Sequence, residues 1–261
     1  MKNYFDFTGQ VALVTGCSTG LGLQMAKALA SQGCNIVAVA RREELLKEIC
    51  ENLKKEYKVE ALPLKCDLTD SKMIKEMVQK AYDHFKRIDI LINNAGTGSV
   101  TPAEQITDEK FEKEIKLDLT GVFICAREVA NIAMIPAKYG RIINIASMYG
   151  LVGNKAGPCA SYHAAKGGVI NLSRALAAEW AQYKITVNAL CPGFFMTPLT
   201  KDLLESQPFK EYLKNACPLE RYGDEGELDT STLFLASKYS SYVTGTTVTV
   251  DGGYTCVWII F

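Results

Sequence analysis

The chain is poor in the side chains that usually hold metals. It has only two histidines, and its nine cysteines are scattered, odd in number and never spaced as Cys-x-x-Cys. Zinc sites need clusters of such ligands, and disulfide frameworks need cysteines that pair. We therefore expect neither a metal site nor a disulfide framework. Free thiols suit a reducing compartment.

The sequence also lacks an excess of charge and long apolar runs. Basic and acidic residues number 29 each, so nothing indicates a nucleic-acid partner or an anionic membrane surface. The first eight residues have no apolar core typical of a signal peptide, and no apolar run looks long enough to span a bilayer. We expect a cytoplasmic protein. The short apolar segment 257–261 is interpreted as packing against the body or a neighbouring subunit.

Short β-branched runs alternate with longer helical patterns along the chain. The predicted strands are Val11–Thr15, Ile36–Ala40, Ala61–Cys66, Ile88–Asn93, Arg141–Ala146, Ile185–Leu190 and Thr246–Val250. The predicted helices are Leu21–Ser31, Arg42–Tyr57, Ser71–Phe85, Asp108–Met134, Tyr162–Ala181 and Glu225–Leu235. Most strand runs are apolar throughout, as expected when helices cover both faces of a sheet.

Strands separated by helices imply right-handed crossovers and a parallel sheet. A chain of 261 residues suits one α/β domain with a sizeable core. We therefore predict a single domain over residues 1–261. Its fold class is α/β, a three-layer, doubly wound Rossmann-type sheet of about seven parallel strands with helices on both faces.

Residues 194–222 depart from this regular order. Three prolines surround an amphipathic piece, Leu203–Leu213, so we predict an ordered insertion that acts as a substrate lid. Its apolar residues are Phe194, Phe195, Met196, Leu199, Leu203 and Leu204. An apolar lid suits a steroid-like or acyl substrate, but the same residues could simply pack the lid down.

A glycine-rich turn follows the first predicted strand and opens a helix. It reads Thr15-Gly-Cys-Ser-Thr-Gly-Leu-Gly22, and no Gly-Lys-Ser/Thr follows, which excludes a P-loop. The glycines let the backbone turn sharply, and the helix N-terminus offers free N–H groups to a pyrophosphate. The turn predicts a dinucleotide site formed by Gly16, Ser18, Thr19, Gly20, Leu21 and Gly22.

The end of the second strand bears on the choice between NAD and NADP. Enzymes that use NAD commonly place an acid there, whereas this chain has Arg41 and Arg42 and no acid before Glu43. An arginine suits a 2′-phosphate through charge-assisted hydrogen bonds. We favour NADP(H) over NAD(H). The alternative is that both arginines merely begin a solvated helix, and the glycine turn itself carries no basic residue.

Tyr162 and Lys166 stand four positions apart on a predicted helix and therefore share a face. A lysine ammonium beside a phenol stabilises the phenolate, which lowers the pKa of the phenol and makes it an acid or base near neutral pH. Ser147 follows the fifth predicted strand. Together with the glycine turn, these residues predict hydride transfer at a carbonyl or an alcohol.

The glycine spacing resembles that of the short-chain dehydrogenase/reductase family, in its compact branch, and the resemblance covers nearly the whole chain. Other segments match the family in chain order. Asp67-Leu68 matches its adenine-contacting pair, and Asn93–Gly96 matches its Asn-Asn-Ala-Gly motif, in which Asn94, Ala95 and Gly96 would line the cofactor. Ser147, Tyr162 and Lys166 match its catalytic residues, Pro192-Gly193 with Thr197 match the segment that holds the nicotinamide amide and the diphosphate, and Val250–Gly253 matches its last strand and turn. All of these motifs in one order make the resemblance specific.

The resemblance implies NAD(P)-dependent interconversion of a secondary alcohol and a ketone. Tyr162 would donate or accept the proton, and Ser147 would hydrogen-bond the same oxygen. Lys166 would support the phenolate and hold the nicotinamide ribose, and Tyr162 is counted with Lys166 among the cofactor-binding residues. The family usually forms homotetramers, so we expect a homotetramer or a dimer. The alternative is a cofactor-binding regulatory protein without turnover, because a fold does not fix a function.

Two departures from the family pattern matter. Asp118 stands where the family usually has an asparagine, whose backbone carbonyl binds a water that feeds the lysine. We expect Asp118 to preserve this relay and count it as catalytic; alternatively, its carboxylate approaches Lys166 and weakens the effect of the lysine on Tyr162. The other departure is a longer separation between Ser147 and Tyr162, which falls in the segment 153–159 that would border the substrate.

The substrate is the least defined part of the prediction. We expect Ser147, Met148, Tyr149, Phe194 and Phe195 to contact it, with Asn154, Cys159 and His163 nearby, although His163 could face the surface or an interface. The segment Arg141–Met148 resembles gluconate 5-dehydrogenases of the family, which act on sugar acids; 3-oxoacyl reductases and hydroxysteroid dehydrogenases are the other similar types. Lys155 or Arg221 could bind a carboxylate.

Overall fold

A seven-stranded sheet forms the centre of the computed structural model, which describes residues 2–154, 157–198 and 200–257. The strands are β1 (Val11–Thr15), β2 (Asn35–Ala40), β3 (Ala61–Lys65), β4 (Ile90–Asn93), β5 (Gly140–Ile145), β6 (Ile185–Pro192) and β7 (Thr247–Val250). Their order in the sheet is β3-β2-β1-β4-β5-β6-β7, and every neighbouring pair is parallel. All seven predicted strands are confirmed, with bounds within two residues.

Helices cover both faces of the sheet. They are α1 (Gly20–Ser31), α2 (Glu43–Tyr57), α3 (Ser71–Phe85), α4 (Asp108–Ala137), α5 (Ala160–Trp180), α6 (Lys201–Leu204), α7 (Gln207–Ala216) and α8 (Asp229–Ala236). Two π-helical turns, Lys116–Thr120 and Ala130–Met134, interrupt α4.

Alternate residues of β1 show how the two apolar layers form. Ala12 and Val14 point into the layer that α1, α2 and α8 cover, whereas Val11 and Leu13 point into the layer that α3, α4 and α5 cover. Because both faces of the strand are buried, the strand can be apolar throughout. The predicted fold class, with three layers and a parallel doubly wound sheet, is confirmed.

One predicted helix begins later than expected, and the predicted amphipathic piece lies across two short helices. The helix predicted at Glu225–Leu235 begins only at Asp229, because Gly226 adopts a left-handed φ of +91° in the preceding turn. The amphipathic piece Leu203–Leu213 consists of two short helices, α6 and α7. Pro208 lies in the first turn of α7, where the missing N–H of proline is tolerated.

The expectation that no apolar segment is long enough to span a bilayer was wrong, because one helix meets the requirement in length and composition. Helix α4 is 30 residues long and apolar enough to pass that test. Half of its most apolar window is buried inside the fold, where Val129 and Met134 pack under the sheet. This is the packing of a core helix, and one such helix is weak evidence for a membrane protein.

The fold brings the predicted site residues to one edge of the sheet. The glycine turn follows β1, Asn94 follows β4, Ser147 lies just beyond β5 and Pro192 ends β6. The strand order reverses direction between β1 and β4, and ligands of such sheets bind in the crevice at this switch point. The crevice is therefore where a cofactor and a catalytic group can meet.

Candidate active site

The glycine turn packs against the loop that follows β4. Gly16 and Gly20 have left-handed φ values of +66° and +60°. A Cβ on Gly16 would lie 2.7 Å from Nδ2 of Asn94, and a Cβ on Gly22 would lie 2.5 Å from the same atom. Any side chain at either position would separate the turn from β4, so the turn requires glycine at both.

Thr15 and Asn94 fasten the two loops together. The Thr15 hydroxyl oxygen accepts hydrogen bonds from the backbone N–H groups of Asn94 (2.9 Å) and Ala95 (3.1 Å). The Asn94 side-chain amide donates to the backbone carbonyls of Thr15 (3.0 Å) and Gly16 (3.3 Å). The sequence analysis treated Thr15 only as the first residue of the turn and missed this role.

The N-terminus of α1 is left open for an anion. Thr19 precedes the helix in extended conformation, and its side chain forms no capping hydrogen bond with any described residue. The first N–H groups of a helix lack intrahelical partners, and they bind phosphate well. The side chain of Thr197 comes within 3.4 Å of the place where a Cβ on Gly20 would stand, so the segment after β6 lies across the turn. These features fit a dinucleotide diphosphate.

Arg42 lies against the glycine turn. Its Nη2 donates to the Ser18 hydroxyl at 2.9 Å and to the Thr19 hydroxyl at 3.4 Å. Arg41 is exposed and close enough to Asp67 to help hold the pKa of that carboxyl below its usual range, an effect that comes mainly from the Thr69 N–H and hydroxyl. Arg42 therefore contacts the glycine turn directly, whereas Arg41 acts on Asp67 through its charge.

Close packing with neighbouring elements places three more of the predicted cofactor residues. Leu68 is buried, and its carbonyl oxygen would lie 2.6 Å from a Cβ on Gly121 of α4. A Cβ on Gly193 would lie 2.7 Å from the backbone of Asp251, so Pro192-Gly193 packs on the turn after β7. A Cβ on Gly96 would meet Asp118 at 3.0 Å. Gly96 thus lies between the cofactor loop and the candidate catalytic side chains.

Ser147, Tyr162 and Lys166 come together from β5 and α5. The buried Ser147 hydroxyl oxygen accepts from the backbone N–H of Tyr149 at 3.1 Å. Lys166 is 3% exposed; its Nζ donates to the carbonyl of Ile145 at 3.1 Å and lies 5.4 Å from the centre of the Tyr162 ring. The spacing of four positions on α5 places these two side chains on one face, as predicted.

Asp118 approaches Lys166 from the first π turn of α4. The carboxylate is fully buried; Oδ1 accepts from the backbone N–H of Thr97 at 2.9 Å, and Oδ2 lies 3.6 Å from Nζ of Lys166. Burial raises the pKa of Asp118, while Lys166 and Thr97 act in the opposite direction. Of the two arrangements considered from the sequence, the approach of the carboxylate to Lys166 is present. The relay through the backbone carbonyl stays a prediction.

Aromatic side chains connect the catalytic residues to the segment after β6. Tyr149 stacks on His163 with ring centres 4.8 Å apart and meets Phe194 edge-on at 6.1 Å. Phe194 in turn contacts Phe209 at 4.9 Å and Tyr254 at 5.6 Å. His163 is half-buried in this stack rather than on the open surface.

The other predicted substrate residues occupy different surroundings. Met148 is buried with Leu213 of α7, whereas Phe195 packs into the apolar layer beside α1 and α8, and its place in the substrate pocket stays a prediction. Arg221 forms two 2.7 Å hydrogen bonds with Glu227, so its guanidinium is already engaged. Lys155, Leu199 and residues 258–261 lie outside the described residues.

Glu114, a buried carboxylate next to this site, was not predicted from the sequence. It accepts hydrogen bonds from the hydroxyl groups of Ser99 and Ser161. In the sequence it is one of several acids in the segment Asp108–Ile115, most of which are exposed. Nothing in the pattern distinguishes it, because the partners come from two other parts of the chain.

The fold and the site define the class of protein as an oxidoreductase with a Rossmann fold and a dinucleotide crevice. A family model described as short chain dehydrogenase matches residues 10–208. The 2-dehydro-3-deoxy-D-gluconate 5-dehydrogenase of Dickeya dadantii is 38% identical over 252 residues, which are 97% of this chain and 98% of that protein. The 3-oxoacyl-(acyl-carrier-protein) reductase FabG of Rickettsia typhi is 37% identical over 248 residues, 95% and 98% of the two chains.

Solved structures agree with this match. A gluconate 5-dehydrogenase from Burkholderia cenocepacia, in complex with NADP and tartrate, superposes with a TM-score of 0.93 at 33% identity and 98% coverage of both chains. A short-chain type dehydrogenase/reductase from Mycobacterium marinum gives 0.91 at 34% identity, with 97% and 98% coverage.

The chain belongs to the short-chain dehydrogenase/reductase family, and the resemblance seen in the sequence is confirmed. It is an NAD(P)-dependent oxidoreductase that interconverts an alcohol and a ketone. None of these relatives favours the alternative of a regulatory protein without turnover.

The Asp118 carboxylate predicts a pH effect that a relative with asparagine would not show. In Asp118→Asn, the positive charge of Lys166 is no longer offset by a carboxylate 3.6 Å away, so a phenolate at Tyr162 becomes easier to form. We predict that Tyr162 in its base form takes up the proton during oxidation. We expect the pH at which oxidative kcat/KM reaches half its maximum to fall by about one unit.

The measurement is the pH dependence of kcat/KM for the wild type and Asp118→Asn between pH 5 and 10. Glu112→Gln, an exposed acid on the same helix, is the matched control and should leave the profile in place. An Asp118→Asn profile that coincides with the wild type would contradict this account of the carboxylate.

Proposed function

We propose that this protein interconverts a secondary alcohol and a ketone with NADP(H), with Tyr162 as the group that donates or accepts the proton. The observation that carries the proposal is the buried ammonium of Lys166 beside the Tyr162 ring, at the mouth of the dinucleotide crevice. A buried cation next to a phenol stabilises the phenolate and so prepares the tyrosine for proton transfer.

Each neighbouring side chain then has a defined task. Since the Ser147 oxygen accepts the Tyr149 N–H, its own hydroxyl proton is directed away from that bond and can be donated to the substrate oxygen. The nicotinamide, when bound, supplies or takes the hydride at the substrate carbon. Tyr162 donates a proton to the substrate oxygen in reduction and accepts it in oxidation, and the Lys166 ammonium stabilises the phenolate form of Tyr162.

The preference for NADP(H) rests on the contact of Arg42 with the glycine turn. The Arg42 guanidinium is held against the glycine turn by Ser18 and Thr19, and we propose that it meets the 2′-phosphate of NADP(H) there. A guanidinium matches a phosphate with several donors in a planar fork, whereas the diol of NAD offers no charge to it. Arg41 would take a secondary part, since it is exposed and its charge acts on Asp67.

Sugar acids are the first candidate substrates. Relatives over almost the whole chain include a 2-dehydro-3-deoxy-D-gluconate 5-dehydrogenase and a gluconate 5-dehydrogenase. The Tyr149 hydroxyl, which accepts from the Asn154 amide at 2.5 Å, offers a polar group close to Tyr162. We propose that the segment 194–222 is the lid over this substrate within a single domain.

Acyl or steroid-like ketones are the second candidate, because a specific observation favours them. The rings of Tyr149, Phe194, Phe209 and Tyr254 form a continuous aromatic cluster that runs from Tyr162 into the lid segment 194–222. Such a surface binds apolar groups well. A relative of similar identity is named as a 3-oxoacyl-(acyl-carrier-protein) reductase.

We further propose that the protein acts as a homotetramer or dimer in the cytoplasm.

Removal of the Arg42 guanidinium should weaken the binding of NADPH much more than the binding of NADH. A charge-assisted hydrogen bond contributes about 1.5–3 kcal/mol, which corresponds to about a 10- to 150-fold change in affinity. We expect Arg42→Ala to weaken NADPH binding by about that factor and to change NADH binding less than threefold. The measurement is titration of nucleotide fluorescence. Lys47→Ala, farther along α2, serves as the control, and an equal loss for NADPH and NADH would refute the assignment.

A spectrophotometric screen at 340 nm tests the reaction itself. It compares 5-keto sugar acids, polyols, 3-oxoacyl thioesters and ketosteroids with both cofactors. We expect turnover with NADPH and kcat/KM at least about tenfold higher for the sugar acids than for the other classes. A preference for 3-oxoacyl thioesters would replace the first substrate candidate with the second. NADPH binding without turnover of any class would refute the proposed function.

A further inference from the structure

Glu114 is a buried carboxylate with no assigned part in the reaction. It lies on α4 one turn before Asp118 and is 5% exposed. An ionised carboxylate is costly to bury unless it is hydrogen-bonded. Its Oε1 accepts from the Ser99 hydroxyl at 2.5 Å, and its Oε2 accepts from the Ser161 hydroxyl. One carboxylate therefore uses its two oxygens to join two different segments to α4.

Both of these segments touch Tyr162. Ser161 immediately precedes Tyr162 in the first turn of α5 and is fully buried. Ser99 follows Gly98, and a Cβ on Gly98 would lie 3.2 Å from Cδ2 of the Tyr162 ring. The ring therefore stands between the helix turn that carries it and the backbone of the cofactor-side loop. Glu114 holds the two sides of this slot at a fixed separation.

Other hydrogen bonds restrain the loop side of the slot on both sides of Ser99. The backbone N–H of Thr97 is bound to Asp118 on one side. On the other side, the hydroxyl of Thr101 accepts from Nζ of Lys110 at 2.6 Å, and the Thr101 N–H donates to the carbonyl of Pro158 at 2.8 Å. Glycine at position 98 allows close approach to the ring but contributes no side chain that could fix the loop. The bond from Ser99 to Glu114 lies between these restraints, next to Gly98.

We propose that Glu114 is a positioning residue that sets the place of the Tyr162 ring through Ser99 and Ser161. Proton transfer requires the phenol oxygen within hydrogen-bond reach of the substrate oxygen, and small displacements of a catalytic group cost large factors in rate. The inference rests on the proposed function for its kinetic consequence. The geometry of the slot itself does not depend on turnover.

The kinetic test compares Glu114→Ala, Glu114→Gln and Ser161→Ala with the wild type. We expect Glu114→Ala to lower kcat by about 10- to 100-fold, because a misplaced catalytic group costs up to this much. The KM for substrate and the dissociation constant of NADPH should stay within about threefold. Glu114→Gln should recover most of kcat, since a serine hydroxyl can rotate to accept from the new amide. Glu112→Ala is the matched exposed control and should behave as the wild type.

A double variant of Glu114 and Ser161 distinguishes a positioning role from a general loss of stability, because the two effects on kcat should not add. Ser161→Ala should lower kcat in the wild-type background but add nothing in Glu114→Ala, because the bond is already lost there. Kinetic constants are taken only below the melting temperature of each variant. Wild-type kcat in both Glu114→Ala and Ser161→Ala would overturn the proposal, as would additive losses in the double variant.

A readout in the cofactor-free protein keeps this test independent of activity. In protein labelled with 13C at the tyrosine ring, the signal that disappears in Tyr162→Phe belongs to Tyr162. We expect its chemical shift to move in Glu114→Ala and to stay in place in Glu112→Ala. An unchanged shift would overturn the positioning role. A wild-type protein with a normal Tyr162 signal but no turnover would instead count against the proposed function.

Discussion

A lysine ammonium buried under the sheet edge is the constraint on which the site depends. Lys166 is 3% exposed, so its charge must be compensated within the protein. The carbonyl of Ile145 accepts a hydrogen bond from its Nζ, and the Asp118 carboxylate lies 3.6 Å away. These partners fix the ammonium beside Tyr162 and thereby fix where a phenolate can be stabilised. The neighbouring loops are arranged around this charge.

The parallel sheet explains how residues far apart in the chain reach that lysine. The carboxyl ends of β1, β4 and β5 lie side by side, so the glycine turn, the loop after β4 and Ser147 meet at one edge. The glycine positions permit contacts that any side chain would block, as at Gly16 and Gly22 against Asn94. Close packing of loops, more than any one motif, therefore creates the crevice.

The sequence predicts the elements better than their contacts. All seven strands follow from apolar runs, because burial on both faces leaves a local signature. The pairing of Tyr162 with Lys166 also follows, since helical spacing is local. The approach of the Asp118 carboxylate to Lys166 was only one of two open alternatives, and Glu114 was missed. Both depend on how α4 packs against α5, which no local pattern encodes.

We propose that the Tyr162 hydroxyl carries the proton, while the rest of the crevice supplies most of the binding of the cofactor. The most direct measurement is kcat of Tyr162→Phe with the best ketone of the wild type, together with its NADPH dissociation constant by fluorescence titration. General acid–base catalysis contributes about 10²- to 10⁴-fold, so kcat should fall by at least about 100-fold while NADPH affinity stays within about threefold. A Tyr162→Phe variant that turns over as fast as the wild type would contradict the account.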